Sequence, residues 1–137
     1  MDIIDADGLI VGRLSSMVAK RLLNGENIVI VNADKAIIVG RKDNIIKRYK
    51  EKYERGSIRK GPFFPRMPDR ILRRTVRGML PMKSSHGKIA YKNLMVYIGV
   101  PKEYADSKRI VIEEAKNEKV KGFITLKDVS NQLGAKL

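Results

Sequence analysis

The sequence predicts an α/β protein built on a parallel sheet, and three observations carry that expectation. Asp2-Ile3-Ile4-Asp5-Ala6 reads as a short strand, closed by the turn Asp7-Gly8. From Ile10 the apolar period changes to that of a helix, with Val11, Leu14, Val18 and Leu22 on one face and Met17 beside them. Asn27-Ile28-Val29-Ile30-Val31-Asn32 is then β-branched and almost wholly apolar, as a strand covered on both faces must be. Strand, helix and buried strand form a βαβ unit, which favours a parallel sheet with a right-handed crossover.

The remaining elements follow in order. Asn24-Gly25 ends the first helix, since glycine suits the left-handed residue after a helix end. Ala36-Ile37-Ile38-Val39 is a further short β candidate. A helix from about Lys42 to Tyr53 has Ile45, Ile46, Tyr49 and Tyr53 as its expected inner face. Arg55 to Met67 contains two glycines and two prolines and reads as irregular. A second basic helix is stopped by Pro81, and Met82 to Gly87 reads as a loop. A short helix is expected over Lys88 to Asn93. Leu94-Met95-Val96-Tyr97-Ile98 reads as a third buried strand, ended by Gly99 and Pro101. Arg109 to Ile112 is a candidate strand, and Leu126 to Leu133 a weak amphipathic helix.

A chain of 137 residues, 43% hydrophobic, suits one domain (1–137) with its own core. Its formal charge is +14, and the charge is concentrated. Residues 1–40 have a net charge of −1 and residues 93–137 a net of +2. Residues 41–92 hold 17 basic and 4 acidic side chains, a net of +13. A field of that size points to an anionic partner, nucleic acid or an anionic membrane surface. The nearly balanced residues 105–137 read as a C-terminal appendage. There is no cysteine, so disulfides and thiolate metal sites are excluded and a reducing compartment fits. The N-terminus lacks a signal-peptide pattern and no apolar run could span a bilayer, which gives the expectation of a soluble, intracellular protein.

The cationic segment centres on Arg70, Arg73, Arg74 and Arg77, spaced i, i+3, i+4 and i+7. On a helix that spacing lines all four guanidinium groups along one face. Leu72, Thr75, Val76 and Met79 repeat the spacing two residues later and read as the apolar face. Like charges at i, i+4 weaken an isolated helix by a few tenths of a kcal/mol per pair. No acidic side chain inside the helix is expected to relieve them. A solvated face is the usual fate of a charge run, but solvated faces mix signs. A polyanion supplying the counter-charge is the better reading here. Arginine's planar fork matches phosphate oxygens two at a time. Tyr49, Tyr53, Phe63, Phe64 and Tyr91 lie between the basic residues, where an aromatic ring can stack on an unpaired base. Tyr49 and Tyr53 read as core, whereas Phe63 and Phe64 stand between core plug and RNA contact. No helix-turn-helix spacing, zinc finger or heptad dimer is present, so irregular folded RNA fits better than duplex DNA.

Catalytic and cofactor motifs are not found. Gly8 and Gly12 occupy the place of a dinucleotide-binding loop but have the wrong spacing and lack a middle glycine; they read as turn and packing residues. Gly87-Lys88 resembles the end of a phosphate-binding loop, but Met82 stands where the first glycine belongs and Ile89 where Ser or Thr does. The single histidine, His86, has no nucleophile or carboxylate beside it in sequence and reads as a loop contact. Asp2, Asp5 and Asp7 read as turn and strand-end residues rather than a metal site. Two other function classes compete: an enzyme for a phosphorylated or nucleotide substrate, which needs a pocket and a perturbed titratable group, and a peripheral membrane protein, which needs exposed apolar anchors.

Several spaced motifs then resemble a known family. Val76-Arg77-Gly78-Met79-Leu80-Pro81, five residues, Gly87-Lys88, five residues, and Leu94-Met95-Val96-Tyr97-Ile98-Gly99 closely resemble the signature of the universal large-subunit ribosomal protein of the L-thirteen family. Ile10-Val11-Gly12-Arg13-Leu14 with Ala19, and Val31-Asn32-Ala33-Asp34 followed by Gly40-Arg41-Lys42, are similar to its first βαβ unit. Arg55-Gly56, Gly61-Pro62-Phe63, Arg66 and Pro68-Asp69-Arg70-Ile71 resemble the archaeal and eukaryotic branch. The resemblance covers about residues 2–104.

It implies a three-layer α/β/α sandwich with a four-stranded parallel sheet, order 3-2-1-4, carrying basic helical and loop extensions. It implies a non-catalytic structural constituent of the large ribosomal subunit that binds large-subunit rRNA, neighbours other ribosomal proteins and joins assembly early. No cofactor, metal, membrane or small-molecule substrate is implied. By position, the rRNA-binding role falls on Arg41, Lys42, Lys47, Arg48, Arg59, Lys60, Arg66, Arg70, Arg73, Arg74, Arg77, Lys83, His86 and Lys88. Gly78, Pro81, Gly87 and Gly99 match the motif as backbone-geometry residues.

Overall fold

The computed structural model of the protein describes residues 1–56, 59–116 and 122–135. Residues 57–58 of the cationic stretch, and 117–121 and 136–137 of the C-terminal third, lie outside the described residues. The strands are β1 (Asp2–Asp5), β2 (Ile28–Val31), β3 (Ile37–Val39), β4 (Leu94–Val96) and β5 (Phe123–Thr125). The helices are α1 (Val11–Leu23), α2 (Lys42–Glu54), α3 (Pro68–Arg77), α4 (Ser85–Lys92) and α5 (Leu126–Gln132).

The expected βαβ unit is β1-α1-β2. β1 and β2 pair in parallel with Asp2 opposite Ile28, and β4 pairs in parallel on the far side of β2 with Leu94 opposite Ile28. All four residues of β2 are buried because it is the central strand. Ile28 and Ile30 face a large core built with Val11, Leu14, Val18 and Leu22 of α1, all buried as the helical period predicts. Val29 and Val31 face the other way together with Ile3 of β1, where Tyr97, Val100 and Tyr104 pack against them. The rings of Tyr97 and Tyr104 lie 5.9 Å apart, and a 3-10 turn, Lys102–Tyr104, completes that cover. Among the described residues the helices therefore gather on one sheet face, and the other carries a loop capped by two tyrosines. β4 is an edge strand shorter than expected, and Met95 on it is exposed.

The ladder has three strands where the resemblance implied four. Arg109 to Ile112 contributes a single parallel bridge, Ile4 to Ile110. The Ile110 amide donates to the Ile3 carbonyl at 2.7 Å, and the Asp5 amide donates to the Ile110 carbonyl at 3.1 Å. The chain then leaves the sheet because the next turn, Glu113–Ala115, is held by the Ile10 amide donating to the Ala115 carbonyl at 2.8 Å. β3 stands outside this sheet and pairs antiparallel with β5.

That pairing changes the reading of residues 105–137. Ile124, Leu126, Val129 and Leu133 belong to the same core as α1, and α5 packs against both α2 and α3. The described part of this segment is built into the body rather than appended to it. Thr125 starts α5 by accepting the Asp128 amide at 3.2 Å.

In α2, Ile45 and Tyr49 are buried and Ile46 is partly so. Tyr53, expected in the core, is 39% exposed one turn further on. Burial raises the Tyr49 phenol above its ordinary pKa, and the neighbouring Arg48 opposes part of that shift. α4 begins at Ser85, earlier than the Lys88 expected. Ser84 caps it, accepting the Gly87 amide at 3.3 Å while its hydroxyl donates to the Pro81 carbonyl at 2.9 Å. Gly87 sits against the Pro81 backbone, so closely that a Cβ would overlap the Pro81 carbonyl. Helix propensity alone makes Gly87→Ala stabilising by about 1 kcal/mol. The overlap is with backbone and outweighs it. Gly87→Ala should lower unfolding stability by about 1–3 kcal/mol in urea denaturation, and a stabilised variant would refute the close approach.

Candidate nucleic-acid interface

α3 presents the arginines, and its own sequence explains how. Pro68 opens the helix at a position where no intrahelical N–H is needed. Asp69 in the first turn and Arg74 and Arg77 in the last suit the helix dipole. Asp69 forms no ion pair among the described residues, so it does not relieve the arginines. The helix ends at Arg77, where the Gly78 amide donates to the Arg74 carbonyl at 3.1 Å. Met79 consequently leaves the apolar face and is 42% exposed. Ile71 takes its place, so the buried face is Ile71, Leu72 and Val76. Thr75 is half-buried and its hydroxyl donates to the Ile71 carbonyl at 2.9 Å.

Opposite that face stand the guanidinium groups. Arg70 and Arg77 are exposed, while Arg73 and Arg74 are half-buried. The Arg73 guanidinium lies over the Tyr91 ring, 4.6 Å from its centre, and that of Arg74 lies 6.0 Å from the Phe64 ring centre. The Arg73 Nε is buried without a hydrogen-bond partner. Three ion pairs occur among the described residues, Arg21–Asp2, Arg109–Asp5 and Lys116–Glu113, and all lie outside residues 41–92. Among the described residues, therefore, no carboxylate neutralises the four arginines.

Three adjoining grooves make one track. All four arginines line the middle groove, of about 540 Å³, together with Phe63, Phe64 and Tyr91. A second groove, of about 590 Å³, shares Arg70 and the Phe63–Pro65 wall and adds Arg55 and Arg66. A third, of about 530 Å³, shares Arg74 and Arg77 and adds Lys83. Of the positions carried over from the resemblance, Arg66, Arg70, Arg73, Arg74, Arg77 and Lys83 are brought together here. Arg41, Lys42, Lys47, Arg48, Arg59, Lys60, His86 and Lys88 are all exposed but line none of the three grooves. Lys47 instead borders a hollow of mixed sign with Asp43, Glu51 and Glu54. Arg55 joins the track without having been expected there, although its place beside Gly56 on the way into the proline-rich loop is visible in the sequence.

The aromatic residues divide by role. Phe64 turns inward against Tyr49, ring centres 6.0 Å apart, with the Lys52 ammonium over both rings at 5.5 and 5.1 Å. Tyr91 is occupied on one face by Arg73. The Tyr53 hydroxyl accepts from Arg66 at 3.5 Å. Phe63 is 65% exposed. Among the described residues no group of three or more His, Cys, Asp or Glu could hold a metal ion, and no helix is long and apolar enough to cross a membrane.

A basic track on a small α/β body, with the glycine and proline motif at its end, agrees with the sequence of a defined family: the model described as Ribosomal protein L13 matches residues 1–103. The chain belongs to the ribosomal protein L13 family. A relative named large ribosomal subunit protein uL13 from Archaeoglobus fulgidus is 58% identical over 135 residues, covering 96% of this chain and 86% of the relative. Proteins of the same name from Picrophilus torridus and Methanosphaera stadtmanae are 53% and 49% identical, covering 96% and 98% of this chain and 95% and 97% of their own. The L13 family match spans all three grooves, so the track lies within the family's own segment.

The arginines differ in what they do for the fold, and stability measurements should separate them. Arg73→Ala removes the stacking on Tyr91 and should lower stability by about 0.5–2 kcal/mol. Arg70→Ala and Arg77→Ala, whose side chains reach into solvent, should stay within about 0.5 kcal/mol of the parent. Equal effects in thermal unfolding would contradict the geometry.

Proposed function

We propose that this protein is a non-catalytic structural constituent of the large ribosomal subunit. It binds large-subunit rRNA through arginine and lysine contacts to phosphate and supports assembly of the subunit. The observation that carries this reading is the unneutralised arginine row on α3, in a chain whose archaeal relatives are named for the large ribosomal subunit. Phosphate oxygens supply the counter-charge that the polypeptide omits. The protein acts in the cytoplasm, within the ribosome, and neighbouring ribosomal proteins are its other partners.

The contact set is Arg41, Lys42, Lys47, Arg48, Arg59, Lys60, Arg66, Arg70, Arg73, Arg74, Arg77, Lys83, His86 and Lys88. Those on the grooved track form its centre, and those on α2, the loop and α4 reach flanking phosphates. The whole chain works as one domain, with 41–92 as its RNA-binding segment. The single bridge at Ile110 supports placing 109–112 as a fourth position beside β1. Counting the parallel positions along the chain then gives the order 3-2-1-4.

The test is binding of the full chain to transcribed large-subunit rRNA across a range of salt. Replacing Arg70, Arg74 and Arg77 by Ala, with Arg73 retained for its stacking on Tyr91, should leave the protein folded, any loss of stability being confined to the Arg74 contact with Phe64. It should weaken binding and reduce the slope of log affinity against log salt by about 2–3, roughly 0.7–0.9 for each phosphate no longer neutralised. An unchanged slope would remove α3 from the interface.

A further inference from the structure

Among the described residues, Phe63 is the one aromatic side chain on the track that the fold leaves largely uncovered, and the loop around it is built to hold it there. Phe64 is anchored against Tyr49, which fixes the chain on one side of Phe63. Pro62 and Pro65 restrict the backbone on either side. Gly61 lies under the ring: a Cβ there would come within 3.0 Å of the Phe63 Cδ2 and Cε2 atoms. Gly61 also has φ +78°, which an L side chain rarely adopts. Gly56 packs so closely on Gly61 and Pro62 that a Cβ would overlap both, closing the base of the loop. The ring is thus held in position by backbone, and little freedom remains to be lost on binding.

Its surroundings name the ligand. Phe63 belongs to the wall shared by two grooves, one carrying Arg55, Arg66 and Arg70 against the single carboxylate of Glu54, and the other Arg70, Arg73, Arg74 and Arg77. An RNA strand following the arginines from one groove to the next must cross this wall. A base-paired duplex keeps its base faces covered by stacking, whereas an unpaired nucleotide offers a free face at that point. We propose that Phe63 is a stacking platform for one unpaired nucleobase of the rRNA, whose flanking phosphates lie in the two grooves. The proposal rests on the rRNA-binding reading above. A protein partner is the less fitting occupant, because it would have to bring acidic groups to both sides of an apolar knob.

The test again uses the full chain and transcribed large-subunit rRNA, with Phe63→Ala, Phe63→Leu and Phe63→Trp. Phe63 is exposed, so all three variants should fold, and circular dichroism checks that they do. Phe63→Ala should weaken binding roughly 5- to 150-fold, the range for one base–aromatic stack, without changing the salt slope. Phe63→Trp should bind like the parent, and Phe63→Leu should bind like Phe63→Ala, since area without a π face does not stack. Parent-like binding by Phe63→Ala, or full recovery by Phe63→Leu, would overturn the proposal. Unchanged RNA affinity with impaired incorporation into subunits would also overturn it and give the ring to a protein neighbour. If the arginine triple variant lowers the salt slope while Phe63→Ala is silent, only the stacking proposal fails. If the arginine variant is silent as well, the rRNA-binding reading falls with it.

Discussion

The repulsion among Arg70, Arg73, Arg74 and Arg77 is the constraint on which the molecule turns. Four pairs at i, i+3 or i, i+4 spacing oppose α3 by about 1–2 kcal/mol in all. Burying Ile71, Leu72 and Val76 contributes roughly 1.5–3 kcal/mol each. The core wins, so the helix stands in the free protein with its charges unanswered. The same three residues bind α3 to its neighbours, and α3 packs against α1, β4 and α5. The βαβ unit and the C-terminal segment thereby act together as the support for one cationic row.

Pre-ordering follows from the neighbouring rings. Arg73 lies over Tyr91, Arg74 approaches Phe64, and Phe64 rests on Tyr49 in α2. These contacts join α2, the proline-rich loop, α3 and α4, and they hold long side chains that would otherwise lose rotamer freedom on meeting RNA. An arginine whose flat face is already covered still has its edge donors for phosphate. The track is thus assembled before any ligand arrives.

Local features are legible in the sequence, and tertiary ones are not. The β1-α1-β2 unit follows from the change of apolar period at Ile10 and from the unbroken apolar run of β2. The four arginines share a face because their spacing requires it. Pro81 is the obvious stop for α3, yet the helix ends at Arg77, and the Met79 and Leu80 amides bond three residues back rather than four. The early start of α4 is written in Ser84, a capping residue. By contrast, no local pattern pairs β3 with β5 or puts Leu126, Val129 and Leu133 into the main core, since those contacts join distant parts of the chain. The split between Phe63 and Phe64 is of the same kind: adjacent identical residues differ only in what the fold brings to each. The joining of Arg55 and Arg66 with α3 likewise depends on how the loop folds back.

The central claim is that ribosomal RNA, rather than solvent or protein carboxylates, answers the charge on α3. Crosslinking this chain within purified large subunits and mapping the joined peptides and nucleotides tests it most directly. The account predicts rRNA adducts concentrated on the peptides carrying Arg66 to Lys83. Adducts absent from those peptides and found instead on β5 and α5 would contradict it.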